Sequence, residues 1–254
     1  MDIFKEILAL TSERIPAVLT TVVEVVDSAP GKPGARMIVK SDGSTVGTIG
    51  GGAIEKRITE EALTMMQGRG TRLLKYELKE LGMVCGGGMS VFLEPLVVTY
   101  PLIIFGAGHI GSALSKITTM LGFTTAVVDN RPEFASEEKL PWADRVIADD
   151  YHKALEDLSF SPTTSVVILT HRHTHDFEIL EYCIRQPHSY LGMIGSRKKV
   201  ATAFQQLREK GADEKDIERI HAPIGIDIGA ESPEEIAVAI AAQLVAVRSG
   251  FVKI

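Results

Sequence analysis

The hexapeptide Gly106-Ala107-Gly108-His109-Ile110-Gly111 constrains this chain more than any other segment. It follows the apolar run Leu102-Ile103-Ile104-Phe105 and opens a candidate helix over residues 112–121. A second β-branched run, 124–129, ends in Asp129. Strand, glycine turn, helix and a second strand closing on a carboxylate form the dinucleotide-binding pattern. The glycines allow a tight turn and close backbone approach, the helix N-terminus faces a phosphate, and the acid takes a ribose hydroxyl. Gly106, Gly108, Gly111 and Asp129 are therefore candidate ligand contacts. His109, inside the turn, stands beside any bound phosphate or points to solvent.

The same alternation continues beyond the turn. Candidate strands at 102–105, 124–129, 145–148, 165–170 and 190–194 have helical segments between several of them, which predicts a parallel sheet covered on both faces. The last helix carries its own boundaries. Ser232 is the N-cap, Pro233 lies in the first turn, Glu235 completes a capping box and Gly250 follows the end. Before residue 100 the pattern differs: a helix over 2–13, strands at 16–23, 35–40 and 45–49, a helix over 53–67, then strands at 72–79 and 89–98. The fold class is α/β, a smaller α+β domain (1–100) preceding a Rossmann-like domain (101–254).

Composition narrows the function classes. The chain has 254 residues, with 27 Lys and Arg against 33 Asp and Glu, a net charge of -6. That balance lacks the basic excess that nucleic-acid binding needs. Two cysteines, Cys85 and Cys183, cannot build a disulfide framework, so a reducing cytoplasm is the expected location. No basic segment precedes an apolar one at the N-terminus, and no apolar stretch reaches the ~20 residues of a membrane helix.

Three further segments carry chemistry. Thr170-His171-Arg172-His173-Thr174-His175-Asp176 offers three alternating histidines that could ligate zinc. The motif departs from the H-x-H-x-D-H order of metallo-hydrolases. The loop's place after a parallel strand favours a ligand loop at His171, with Asp176 as N-cap of a helix over 177–185. Ser196 reads as the N-cap of a helix whose first turn holds Arg197, Lys198 and Lys199. Cations there oppose the macrodipole, and a bound anion relieves them; a solvated basic face is the alternative. Gly82-Met83-Val84-Cys85-Gly86-Gly87-Gly88 sets one thiol among glycines, as a soft metal ligand, a sulfur carrier or a small buried thiol. Cys183, on an apolar helical face, reads as core. Gly50-Gly51-Gly52 is an anion nest or a plain turn.

Taken together, these segments resemble the xanthine dehydrogenase accessory (XdhC/CoxI) family. The likeness rests on Gly47-Thr48-Ile49-Gly50-Gly51-Gly52-Ala53-Ile54-Glu55, the segment around Cys85, the 104–111 turn, Val127-Val128-Asp129-Asn130-Arg131-Pro132-Glu133-Phe134 and Thr170-His171. Tyr190-Leu191-Gly192-Met193-Ile194-Gly195-Ser196-Arg197 and His221-Ala222-Pro223-Ile224-Gly225-Ile226-Asp227-Ile228-Gly229-Ala230 complete it. The resemblance implies a chaperone that binds molybdenum cofactor, as molybdopterin or its cytosine dinucleotide, supports its sulfuration and delivers it to an apo molybdenum hydroxylase. A cysteine desulfurase is a second implied partner, and self-association would shield the cofactor. Cofactor contacts are then expected at Cys85 (also as a metal ligand), Gly106, Gly108, His109, Gly111, Asp129, His171, Ser196 and Arg197.

Such a role requires no turnover, and no catalytic residue is assigned. The competing reading is an NAD(P)-dependent oxidoreductase, which explains the glycine turn. No Tyr-x-x-x-Lys pair occurs anywhere in the chain to relay a proton.

Overall fold

The structure, a computed structural model, describes residues 2–13, 15–66, 70–82, 86–97 and 99–251; of residues 97, 173 and 174 only the backbone is described. The chain divides into two compact units, Met1–Thr99 and Tyr100–Ile254.

In the first unit, β1 (Ala17–Val26), β2 (Arg36–Lys40), β3 (Thr45–Gly47), β4 (Arg72–Glu77) and β5 (Gly88–Val97) form an antiparallel sheet in the order β3-β2-β1-β5-β4. Helix α1 (Ile3–Ser12) is capped by Asp2, whose side chain accepts from the Phe4 amide. Helix α2 (Ala53–Met65) begins directly after the glycine triplet. Alternation along the strands explains why β1 reads as almost continuously apolar. Val18 and Val22 of β1, with Met37 and Val39 of β2, pack with Ile54, Ile58 and Ala62 of α2. Ala17, Leu19 and Ile38 point the other way and pack with Ile3, Ile7 and Leu10 of α1. Both faces are therefore buried.

The second unit holds β6 (Tyr100–Phe105), β7 (Phe123–Val128), β8 (Arg145–Ile147), β9 (Ser165–Ile168), β10 (Tyr190–Met193) and β11 (Ile220–His221). Every pairing among them is parallel and the order is β11-β10-β9-β6-β7-β8. The chain starts in the middle, steps outward through β7 and β8, then returns to add β9 on the other side. The junction of β6 and β9 is therefore a topological switch point, where open α/β sheets place their ligands. Helices α3 (His109–Met120) and α8 (Pro233–Ser249) cover one face, packing Leu114, Ile240 and Leu244 on Leu102 and Ile104. Helices α4 (Tyr151–Asp157), α5 (His173–Cys183), α6 (Arg197–Glu209) and α7 (Glu214–Ile217) cover the other, around Ile103, Phe105 and Ile168. Cys183 is fully buried in that core, and burial pushes its thiol pKa up, as expected of a structural cysteine. Among the described residues no helix is long and apolar enough to cross a membrane.

Some elements differ from the sequence reading. Helix α3 begins at His109 rather than at residue 112, because Gly108 already has the extended conformation of a cap. Strand β11 was not expected. Two residues carry too little periodicity to stand out.

Candidate functional site

The β6–α3 turn is built by two backbone approaches. Gly106 has φ +119°, and a Cβ there would lie 2.3 Å from the Leu169 carbonyl oxygen in the loop after β9. A Cβ on Gly111 would lie 1.9 Å from the Gly106 carbonyl oxygen. Neither position accepts a side chain without movement. Gly108 is different: among the described residues no atom lies within 4 Å of where its Cβ would be. It caps α3 without a side-chain hydrogen bond, so its own side-chain position leaves the first amides of that helix uncapped. His109, the first residue of α3, is exposed.

Asp129, at the end of β7, is fully buried. Its Oδ2 accepts from the Ala107 amide (2.8 Å) and Arg131 Nη2 (2.8 Å). Its Oδ1 accepts from the Arg131 amide (3.0 Å) and Nε (2.9 Å). Burial pushes the carboxyl pKa up, but the bonds from Arg131 and Ala107 outweigh it and hold the group below its ordinary value. The expected ribose contact thus meets a carboxylate whose oxygens already serve Arg131 and the glycine turn. Tyr151, opening α4, sits close by at 2 % exposure, and its hydroxyl has no hydrogen-bond partner among the described residues. Burial, then the charge of Asp129, raises its pKa, so it stays protonated.

The loop after β9 is fixed from below. Asp176 is not the cap of α5, which starts earlier, at His173, with Arg172 in the cap position. Fully buried, Asp176 takes the Thr170 amide (3.0 Å) and hydroxyl (2.6 Å) on Oδ1 and Lys199 Nζ (2.6 Å) on Oδ2. His171 is exposed above it, its ring 5.9 Å from His175, which in turn lies 5.2 Å from Tyr151. Burial and the Arg131 charge lower the His171 pKa. Among the described residues no group of three His, Cys, Asp or Glu is arranged to hold a metal.

Ser196 caps α6 by accepting from the Lys199 amide. Arg197 and Lys198 are exposed there. Lys199 is not: it turns inward to Asp176, so the cation excess at this helix start is smaller than the sequence suggests. The sheet is parallel, so the turns after β6, β7, β9 and β10 share its carboxyl edge. Gly106, Gly108, His109, Gly111, Asp129, His171, Ser196 and Arg197 all belong to that edge.

The glycine triplet of the first unit already has its anion. Gly50, Gly51 and Gly52 all have positive φ, and Glu55 Oε1 accepts from the Ile49 amide (2.9 Å), the Gly51 amide (2.9 Å) and the Thr48 hydroxyl (2.5 Å). The nest is closed internally. Cys85 lies outside the described residues. Arg131 and Tyr151 were missed as site residues. Arg131 had a signal, two positions past the carboxylate; Tyr151 had none.

Family comparison bears on both units. The XdhC Rossmann domain model matches residues 102–244, and the XdhC and CoxI family model matches residues 10–77. The chain is 38% identical over 255 residues to Uncharacterized protein YqeB of Escherichia coli (strain K12), covering 98% of this chain and 47% of YqeB. It thus spans about half the length of that relative. It is 22% identical to a probable xanthine dehydrogenase component of Bacillus subtilis (strain 168), covering 94% of this chain and 96% of that protein. It is 26% identical to Molybdenum cofactor insertion chaperone PaoD of Escherichia coli (strain K12), covering 91% of this chain and 83% of PaoD. A crystal structure of a xanthine dehydrogenase from Bacillus halodurans superposes with a TM-score of 0.57 at 24% identity, covering 100% of this chain and 97% of that one. That likeness concerns the fold.

Proposed function

The chain belongs to the XdhC and CoxI family, and from that premise we propose that it is an accessory protein of a molybdenum hydroxylase. It binds molybdenum cofactor, supports its sulfuration and hands it to an apo-enzyme of the xanthine dehydrogenase type; a cysteine desulfurase is the sulfur donor. One observation carries the reading. The α3 N-terminus is uncapped by any side chain and opens on clear space over Gly108, at the switch point of the sheet. Both forms of the cofactor carry phosphate, and unpaired amides with the helix dipole suit it. The relationship to PaoD supports the same cargo.

On this reading the α3 amides hold the phosphate and Asp129 keeps Arg131 and the turn in place. His171, Ser196 and Arg197 line the rest of the edge, and the Cys85 thiol of the first unit handles sulfur. The bound group supplies the redox-active metal; this chain binds, orients and shields it.

Equilibrium binding of molybdenum cofactor, read by pterin fluorescence after ultrafiltration with NAD+ as competitor, tests the reading. Near-stoichiometric binding that NAD+ does not displace is expected. Absence of cofactor binding together with clear NAD+ affinity overturns it and favours the oxidoreductase reading.

A further inference from the structure

Helices α5 and α6 do not close over the end of β10. A cavity of about 630 Å³ opens between them, inside the range of ~300–1,000 Å³ that small-ligand pockets occupy. It lies on the face of the sheet opposite α3, so it is independent of whatever the glycine turn holds.

The floor of this cavity is apolar. Phe177 of α5, Met193 of β10 and Ala203 of α6 form it, the last two at 1% and 6% exposure. The aliphatic stem of Lys199 adds to the α6 wall while its ammonium turns away to Asp176. At the far end Lys210 lies 5.3 Å from the centre of the Phe177 ring and pairs with Glu181, tying α6 to α5. Folded interiors leave few voids larger than a water molecule, so an opening of this size onto core residues asks for an occupant.

The charges at the mouth indicate its chemistry. Glu178, on the α5 side, is met by His152 Nε2 at 3.5 Å and His175 Nδ1 at 3.4 Å. Of the three lysines around the cavity, Lys199 and Lys210 have acid partners. Lys198 is exposed and makes no ion pair among the described residues. It stands in the first turn of α6, where a cation opposes the helix dipole. The Ser196 hydroxyl caps the Lys199 amide and leaves those of Arg197 and Lys198 uncapped by it. An anion placed here answers the ammonium, the dipole and those amides together.

We propose that the cavity binds a small organic anion. Its apolar body lies on Phe177, Met193 and Ala203, and its carboxylate or sulfonate head meets Lys198 at the start of α6. Fluorescence titration of the full chain with anilinonaphthalene sulfonate, displaced by octanoate, octanol or octylammonium, tests this. The competitors share a tail and differ in the head. Saturable binding of one probe per chain is expected. Octanoate should displace it at a concentration at least about tenfold below that of octanol, a difference of about 1.4 kcal/mol, with octylammonium weakest. Lys198→Gln should bring octanoate to the level of octanol. Thr202→Trp narrows the cavity from the α6 wall and should weaken the probe and all competitors. Both substituted positions are exposed, so thermal unfolding should stay near wild type. Absence of saturable probe binding, octanoate no better than octanol, or displacement unchanged by either substitution overturns the proposal.

Discussion

Burial alone would drive the Asp129 carboxyl towards its neutral form, yet Arg131 and the Ala107 amide keep it ionised and its pKa below the usual range. One side chain thereby ties the glycine turn to the loop after β7. Removing the charge should leave Arg131 without its partner, and breaking one side of a buried pair costs about 3–5 kcal/mol. Asp129→Asn should therefore lose roughly that much, at the lower end because Arg131 keeps some solvent contact. The pH dependence has a definite sign. The unfolded carboxyl titrates near ~3.9 and the folded one lower, so the pair's contribution is complete above ~3.9 and lost as pH falls through the folded value. Urea denaturation at pH 7 and at successive steps below ~3.9 should show the gap between the wild type and Asp129→Asn narrowing as the pH falls through the folded value. A gap that stays constant would mean that the carboxylate's charge is not what stabilises the turn.

Gly106 and Gly108 stand two residues apart in one turn and should fail in different ways. Gly106→Ala combines a left-handed φ with a Cβ 2.3 Å from a backbone oxygen. Strain of that kind costs about 1–3 kcal/mol before the clash is counted, so thermal unfolding should show a large loss. Gly108→Ala has an ordinary φ of -67° and open space, so its melting temperature should stay near wild type while affinity for a phosphate ligand falls. Equal ligand binding in Gly108→Ala would place the ligand elsewhere. Elements of this kind were legible because their signals are local. The Ser232–Glu235 capping box and the Ser196 cap came from residues within one turn of each other, and the β6–turn–α3 unit from one continuous stretch. What stayed hidden depends on distant partners. Asp176 has the composition of a cap, but Lys199, 23 positions on, and Thr170 draw it inward. Glu55 fills a nest that glycine spacing alone leaves open. Tyr151 reaches the site only because β8 and α4 return the chain to the sheet edge, which no short window of sequence records.

At the scale of the whole molecule, a carrier and a catalyst predict different dose responses. At the carboxyl edge of the second unit Asp129 is committed to holding the turn and Tyr151 stays protonated. A protein that only binds and releases its cargo yields at most one active hydroxylase centre for each loaded copy. With apo-hydroxylase in excess, recovered activity should rise linearly with the amount of cofactor-loaded chain and stop at that equivalence. Cys85→Ser separates the steps within this scheme. It should bind pterin with unchanged stoichiometry but deliver cofactor that leaves the hydroxylase inactive until sulfide is supplied chemically, because the thiol handles sulfur while the glycine turn holds phosphate. Recovered activity that climbs past one centre per copy, with free cofactor and no reloading, would show turnover and end the carrier reading. A Cys85→Ser chain that delivers fully active cofactor would leave the carrier reading intact and remove the thiol from it.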